Sequence, residues 1–384
     1  MELENLVIVA ECTAMTIRPI DTVQKLLLSA PTTFVGEYEA QDFRLSHAWP
    51  GYANGNTHGR FVDSPLSRDF IVLAFKTQPL TPAAGVVIPN YEPTGEYVAA
   101  LMAVLFGKRF DTHGALEMTG HFYVPDLSST SEPCEPHIPF HGKRLRADFP
   151  AELNLSELRR LAPLLETEPK EASLFNAFHT ASLFYARALR SAVSNPEVAY
   201  LHLITAGERL SEVVPFDRMA NLDAATRNAF HRIEEEMQGG DKIASLFRGR
   251  LLQLKRRYCN MICQSVDDNF FARSEADDVW GAIKKENVVK LAGAAYDLRS
   301  RYVHAGSSFG SWIKPRRGNE EKQTGKPYLP NDRSMATILH HAPTLVGLER
   351  LTRVALLKTA EKLGVELPPQ SSSDTDQVEP SRSC

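Results

Sequence analysis

From Ala172 to Leu363 the chain obeys one constraint: apolar residues return every three or four positions, a spacing that only packed helices use. Leu174, Phe178, Ala181, Tyr185, Ala188 and Ala192 share one helix face. Asn195-Pro196 offers an N-cap and a first-turn proline for a next helix through Leu201, Ile204 and Leu210. Ile243, Phe247, Leu251, Leu254, Tyr258 and Ile262 line one long candidate helix. Val288, Leu291, Ala295, Leu298 and Tyr302 line another, and a last one covers roughly Leu345 to Leu363. Five or more amphipathic helices without a convincing strand predict an all-α helical bundle over residues 166–365.

The first part reads differently. Thr33 to Tyr38, Phe70 to Phe75, Val86 to Ile88 and Leu116 to Val124 are short, β-branched and aromatic, and predict strands. Gly95 to Gly107 is apolar on most sides and bounded by glycines, which predicts a buried helix. Residues 1–165 therefore form an α+β domain, expected to recognise or regulate. From Pro368 onward the composition cannot support a core, so residues 366–384 are expected to be a disordered tail. Charge divides the chain too: residues 241–365 hold 22 Lys+Arg against 13 Asp+Glu, in a protein whose net charge is −4.

That overall charge gives no global attraction to nucleic acid or anionic membrane, so any such attraction must be local. Cys12, Cys134, Cys259, Cys263 and Cys384 are too few and scattered for a disulfide framework, which points to a reducing cytoplasm. The start, Met1-Glu2-Leu3-Glu4, lacks the basic segment of a signal peptide. The longest apolar run, Tyr97 to Phe106, spans half a bilayer core, so no membrane partner is expected. Walker, dinucleotide, Gly-x-Ser-x-Gly and His-Glu-x-x-His signatures are missing, and no cofactor is expected.

What remains is Tyr296-Asp297-Leu298-Arg299-Ser300-Arg301-Tyr302-Val303-His304-Ala305-Gly306, an arginine and a histidine five positions apart on a helix that glycine can end. A guanidinium grips a phosphodiester and stabilises the extra charge of its transition state. An imidazole moves a proton at neutral pH. Five helical positions turn through about 140° and rise about 7.5 Å, so one copy of the motif cannot aim both groups at one point. A two-fold dimer that shares a cleft removes the difficulty.

This Arg-x4-His pattern at the end of a helix resembles the HEPN family (higher eukaryotes and prokaryotes nucleotide-binding), and Tyr296 to Gly306 is similar to its Apea-like branch. Residues 199–210 with Glu208, and Gly347 to Lys358, are similar to two further helices of that branch. The resemblance covers Ala172 to Leu363. It implies a metal-independent endoribonuclease acting on RNA as a homodimer or higher even-numbered oligomer, often a toxin or an anti-phage defence effector with an antitoxin or a phage-derived trigger. On this chain Arg299 would bind the scissile phosphate and His304 would perform acid-base work. Arg301, Ser300, Tyr302 and Glu208 would assist. Ser300 stands where many active members carry Asn, Asp or His. That departure leaves open a catalytically silent domain that binds nucleotide or RNA or serves dimerisation.

Other cations could follow an RNA backbone: Arg248, Arg250, Lys255, Arg256 and Arg257, and the loop residues Lys314, Arg316, Arg317, Lys322 and Lys326. A solvated helix face is the commoner explanation for the first group, whereas the loop departs directly from the motif, where RNA contact and plain disorder stand level. Residues 305–334 are long and polar for a connection inside a bundle, as functional or mobile loops are. Cys134, His137 and His141 have zinc-ligand spacing, with His113 or His121 as a fourth, but prolines 133, 136 and 139 argue for an irregular loop. Cys259 and Cys263 stand one turn apart, as packing residues do. His340-His341 reads as the start of the last helix.

Overall fold

A computed structural model describes residues 23–48, 68–79, 85, 89–118, 121–122, 134–165, 171–217, 222–250, 253–315 and 318–368. Its N-terminal part holds a small antiparallel sheet. Five strands, β1 (Val23–Ala30), β2 (Tyr38–Ala40), β3 (Phe43–His47), β4 (Asp69–Lys76) and β5 (Asp111–Met118), are joined by a two-residue edge strand, β6 (His121–Phe122), in the order β2-β3-β4-β1-β5-β6. Helix α1 (Glu92–Phe106) lies so close to β1 that a Cβ on Gly95 would stand 2.7 Å from Leu26 Cδ1. Every residue of α1 from Val98 to Phe106 is buried, because the sheet covers one side and helices cover the other.

The expected Phe70–Phe75 strand lies within β4, and Gly95–Gly107 lies within α1 and its cap. Thr33–Tyr38 is not a strand: only Tyr38 enters β2, while Val35 makes a single bridge to Asn154. Val86–Ile88 lies outside the described residues, as do residues 369–384 of the expected tail.

The helices that follow are α2 (Ala162–Leu165), α3 (Ala172–Ser191), α4 (Pro196–Ser211), α5 (Ala224–Glu236), α6 (Gly240–Arg250), α7 (Leu254–Ser265), α8 (Asp268–Ala272), α9 (Val288–Ala305), α10 (Arg333–His341) and α11 (Leu345–Lys362). Asn195 caps α4 as its sequence predicts, accepting from Val198 N at 3.3 Å. The single long helix expected from Ile243 to Ile262 is two: Gln253 takes φ +49°, which ends one helical path before α7 starts another. Phe247 and Leu254 are exposed while Tyr258 and Ile262 are buried, so the apolar stripe had joined two differently packed segments. His340 and His341 end α10, and Thr344 caps α11 instead, its hydroxyl accepting from Gly347 N. The polar 305–334 connection is packed: Phe309, Ile313, Asn319, Glu321 and Gln323 are buried.

One hydrophobic core runs from Leu26 to Val365 and crosses residue 165 without a break. The boundary there separates kinds of secondary structure, not two cores. At its centre α11 carries Glu349, Arg350 and Arg353, all at most 1% exposed. Arg353 Nε donates to Val104 O at 2.9 Å and Nη2 to Leu105 O at 2.6 Å, satisfying carbonyls that the end of α1 leaves open. Arg146 donates to both oxygens of Glu349, at 2.8 and 2.7 Å, and to Glu275 at 2.8 Å. Arg350 pairs with Asp148 and Glu321 and lies 3.8 Å from the centroid of the Phe270 ring. Lys108 donates to three carbonyls, Pro139, Gly142 and Arg144, at 2.6, 2.5 and 2.6 Å. Burial, then Arg146, brings its ammonium down to about 7. Gly107 is required here: its φ is +60°, and a Cβ would meet Arg146 and Arg353 at 2.6–2.7 Å. Among the described residues, no helix is long and apolar enough to cross a membrane.

Candidate functional site

Helix α9 carries the Arg-x4-His motif in its last two turns and stops at Gly306, whose φ of +62° places it in the left-handed region. Gly306 N donates to Tyr302 O at 3.1 Å and Ser307 N to Arg301 O at 3.3 Å, closing the helix end. His304 is therefore fully helical and exposed, in the last turn of α9.

Arg299 points to α4. Its Nη2 lies 3.4 Å from Glu208 Oε2, and its guanidinium stands 5.8 Å from the centroid of the Tyr296 ring. Tyr296 also hydrogen-bonds Glu208, and burial together with that carboxylate pushes its phenol up to about 12. Arg299 keeps 26% of its side chain exposed, so one face of the guanidinium reaches the surface. Glu208 is thus beside Arg299. Helix α4 braces the other side of the motif as well: Glu197 Oε1 accepts from Ser308 Oγ at 2.8 Å and from Phe309 N and Gly310 N at 2.7 Å each.

The remaining expected site residues divide. Arg301 is committed to the start of α10, pairing with Asp332 at 2.9 Å and donating to Ser334 Oγ at 2.7 Å. Tyr302 packs edge-on against Phe309 at 5.6 Å. Ser300 is half-buried on the outward side of α9, and Lys314 is half-buried after the 3-10 turn Gly310–Ile313. Arg316 and Arg317 lie outside the described residues. Because α9 stays helical through both motif residues, Arg299 and His304 diverge by about 140°. One chain brings neither to the other.

The basic stretch is internally engaged. Arg248 pairs with Glu234, Arg256 with Asp223 at 2.6 Å, Lys255 with Asp297 at 2.6 Å, and Arg257 donates to Ser211 O and Glu212 O. Cys259 and Cys263 are free thiols on α7, and burial raises both, Cys259 to about 11, which makes them poor nucleophiles. The zinc candidates do not share an environment: Cys134 and His141 are buried, while the His137 side chain is 69% exposed. His141 accepts from Glu135 N through Nδ1, and burial, then Arg109, drives its imidazole down to about 3. His113 is bonded to Ser29 Oγ at 2.8 Å. Among the described residues no group of three His, Cys, Asp or Glu side chains could hold a metal ion.

Sequence reasoning did not single out Lys290 or Asp297, nor His341 as a surface group. They meet around Gly293 on the outer side of α9, and the signal was there: a glycine inside a helix flanked by opposite charges. Comparison with protein-family models, curated proteins and solved structures finds no significant match to this chain.

Proposed function

We propose that the protein is a HEPN-type, metal-independent endoribonuclease whose cleft is completed by a second copy of the chain. The observation that carries this reading is the disposition of α9. Arg299 is oriented by Glu208 on one side, His304 is free in a capped helix end on the other, and Val289, Ser300 and Val303 lie between them. Val289 and Val303 are 63% and 53% exposed and mark the two ends, about 21 Å apart, of a strip along this side of α9. If two copies pair along that strip about a two-fold parallel to α9, each Arg299 comes beside the partner's His304.

In such a cleft His304 accepts the proton of a ribose 2′-hydroxyl, and that oxygen attacks the adjacent phosphorus. Arg299 stabilises the added charge. The bond to the 5′-oxygen breaks, a proton restores that hydroxyl, and a 2′,3′-cyclic phosphate remains. No metal enters any step.

The same ion pair favours a second reading. Glu208 already neutralises Arg299, which suits a catalytically silent domain that binds nucleotide or RNA or dimerises. Purified protein incubated with a labelled RNA pool in excess EDTA separates the two. The expected result is cutting by the wild type, cyclic-phosphate ends, and none from His304→Ala. RNA binding without cutting supports the silent module.

A further inference from the structure

Beside the motif, α7, α9 and α10 enclose an open groove of about 630 Å³. Helix α9 contributes Lys290, Gly293 and Asp297, α7 contributes Lys255, and α10 contributes Thr337 and His341. Gly293 lies in the groove wall, where a Cβ would make ordinary contact with Lys255 Cε at 3.4 Å and a longer side chain would reach into the groove. Lys255 is held by Asp297, at 2.6 and 2.7 Å. Lys290 is exposed and meets no carboxylate among the described residues. Lys326, donating to Thr337 Oγ1 at 3.1 Å, adds a second such charge at the rim.

The imidazole of His341 registers this field. Burial holds it below its ordinary value, and Lys290, His340 and Lys326 lower it further, as a local excess of positive charge does. On a chain of net charge −4, a groove with this surplus selects anions.

The α9 wall of the groove ends at Asp297, two turns before His304 on the same side of the helix. Gly293, Asp297, Ser300 and His304 follow one another at spacings of four, three and four, on one side of α9. From Lys290 to His304 the helix rises about 21 Å. A cation-edged groove with apolar Ala294 and Ile338 in its lining suits the phosphates and bases of a single strand.

We infer that this groove is the track of a single-stranded RNA segment, which it delivers to His304. The inference rests on the endoribonuclease reading and adds to it the form of the substrate and the residues that position it. Lys290 and Lys326 neutralise phosphates, and the space over Gly293 admits the strand. Neither acts on the reacting atoms.

The test uses the full chain carrying His304→Ala, so that bound RNA is not consumed. Affinity for a labelled single strand of about 12 nucleotides is measured across a range of salt, with the annealed duplex alongside. Lys290→Glu/Lys326→Glu is expected to weaken single-strand binding by about tenfold or more and to flatten its salt dependence. Gly293→Leu, which leaves charge untouched and sits at an ordinary helical φ, is expected to weaken binding as well. Both variants are checked for unchanged thermal unfolding, and the surface double variant carries the test if Gly293→Leu does not fold. Unchanged single-strand affinity in the variants, or duplex binding as tight as single-strand binding, overturns the inference. The two readings fail separately. Groove-dependent binding by a wild type that cuts nothing sinks catalysis and keeps the track, whereas cutting with groove-independent binding does the reverse.

Discussion

Arg299 and His304 differ in what the fold asks of them. Arg299 is held by Glu208 and Tyr296, so the proposed cleavage would draw on its planar fork and not on charge alone. Arg299→Lys is expected to lower cleavage by about 10²-fold with RNA affinity nearly kept, read from single-turnover rates. Both residues stand out in the sequence because arginine, histidine and a terminal glycine crowd one helix end. The buried charges do not. Glu349, Arg350 and Arg353 sit on a helix whose composition looks amphipathic, and periodicity assigns such charges to solvent. Here they face Arg146, Asp148 and the end of α1, more than 190 residues away in the chain. Glu349→Ala would leave Arg146 with Glu275 as its one carboxylate partner and take away the acceptor of the Tyr185 hydroxyl, so a loss of about 3 kcal/mol is expected from urea unfolding. His141 gives a pH signature. Its folded value is near 3 against 6.5 for an ordinary histidine. Between those values the unfolded chain binds a proton that the folded chain refuses, so stability falls on acidification from pH 6.5 towards 3. This one group contributes about 1.4 kcal/mol per pH unit across the window. The denaturation midpoint of His141→Gln should therefore change less between pH 6.5 and pH 4 than that of the wild type, and parallel curves would count against it.

At the scale of elements, α9 depends on its end. Gly306 occupies a left-handed position with open space around its Cα, so the cost of a side chain there is conformational. Gly306→Ala is expected to cost about 1 kcal/mol in thermal unfolding and to fray the turn bearing His304, whereas Gly306→Asn, which tolerates this conformation, should lose less. Equal losses would show that the cap does not hold the turn. Elements with a covered face and an open one were readable, α3 and α9 among them. Strand β1 was not, because its position in the middle of the sheet buries nearly every residue from Leu26 to Ala30 and erases the alternation that marks a strand. The α6–α7 break was hidden for another reason. An apolar stripe continues in phase across Gln253, and only the positive φ there shows that the backbone does not.

For the molecule as a whole, sheet and bundle share one core and one charge network, so neither half is complete alone. Residues 166–384 expressed by themselves would leave Arg350 and Arg353 without Asp148 and without the carbonyls of Val104 and Leu105. That fragment is expected to lack a cooperative unfolding transition and to regain one when co-expressed with residues 1–165. The charge division along the chain is real as composition, but it does not mark a division of the core. It survives locally as the exposed Lys290 and Lys326 beside the groove between α7, α9 and α10. A cleft made from Arg299 of one copy and His304 of another can be probed by co-expressing Arg299→Ala and His304→Ala chains. Each alone should be inactive. Random pairing makes half of the dimers mixed, each with one intact composite site, so cleavage in excess EDTA should return to about a quarter of the wild-type rate. Co-purified mixed dimers that stay as inactive as either parent would contradict a cleft shared between two copies.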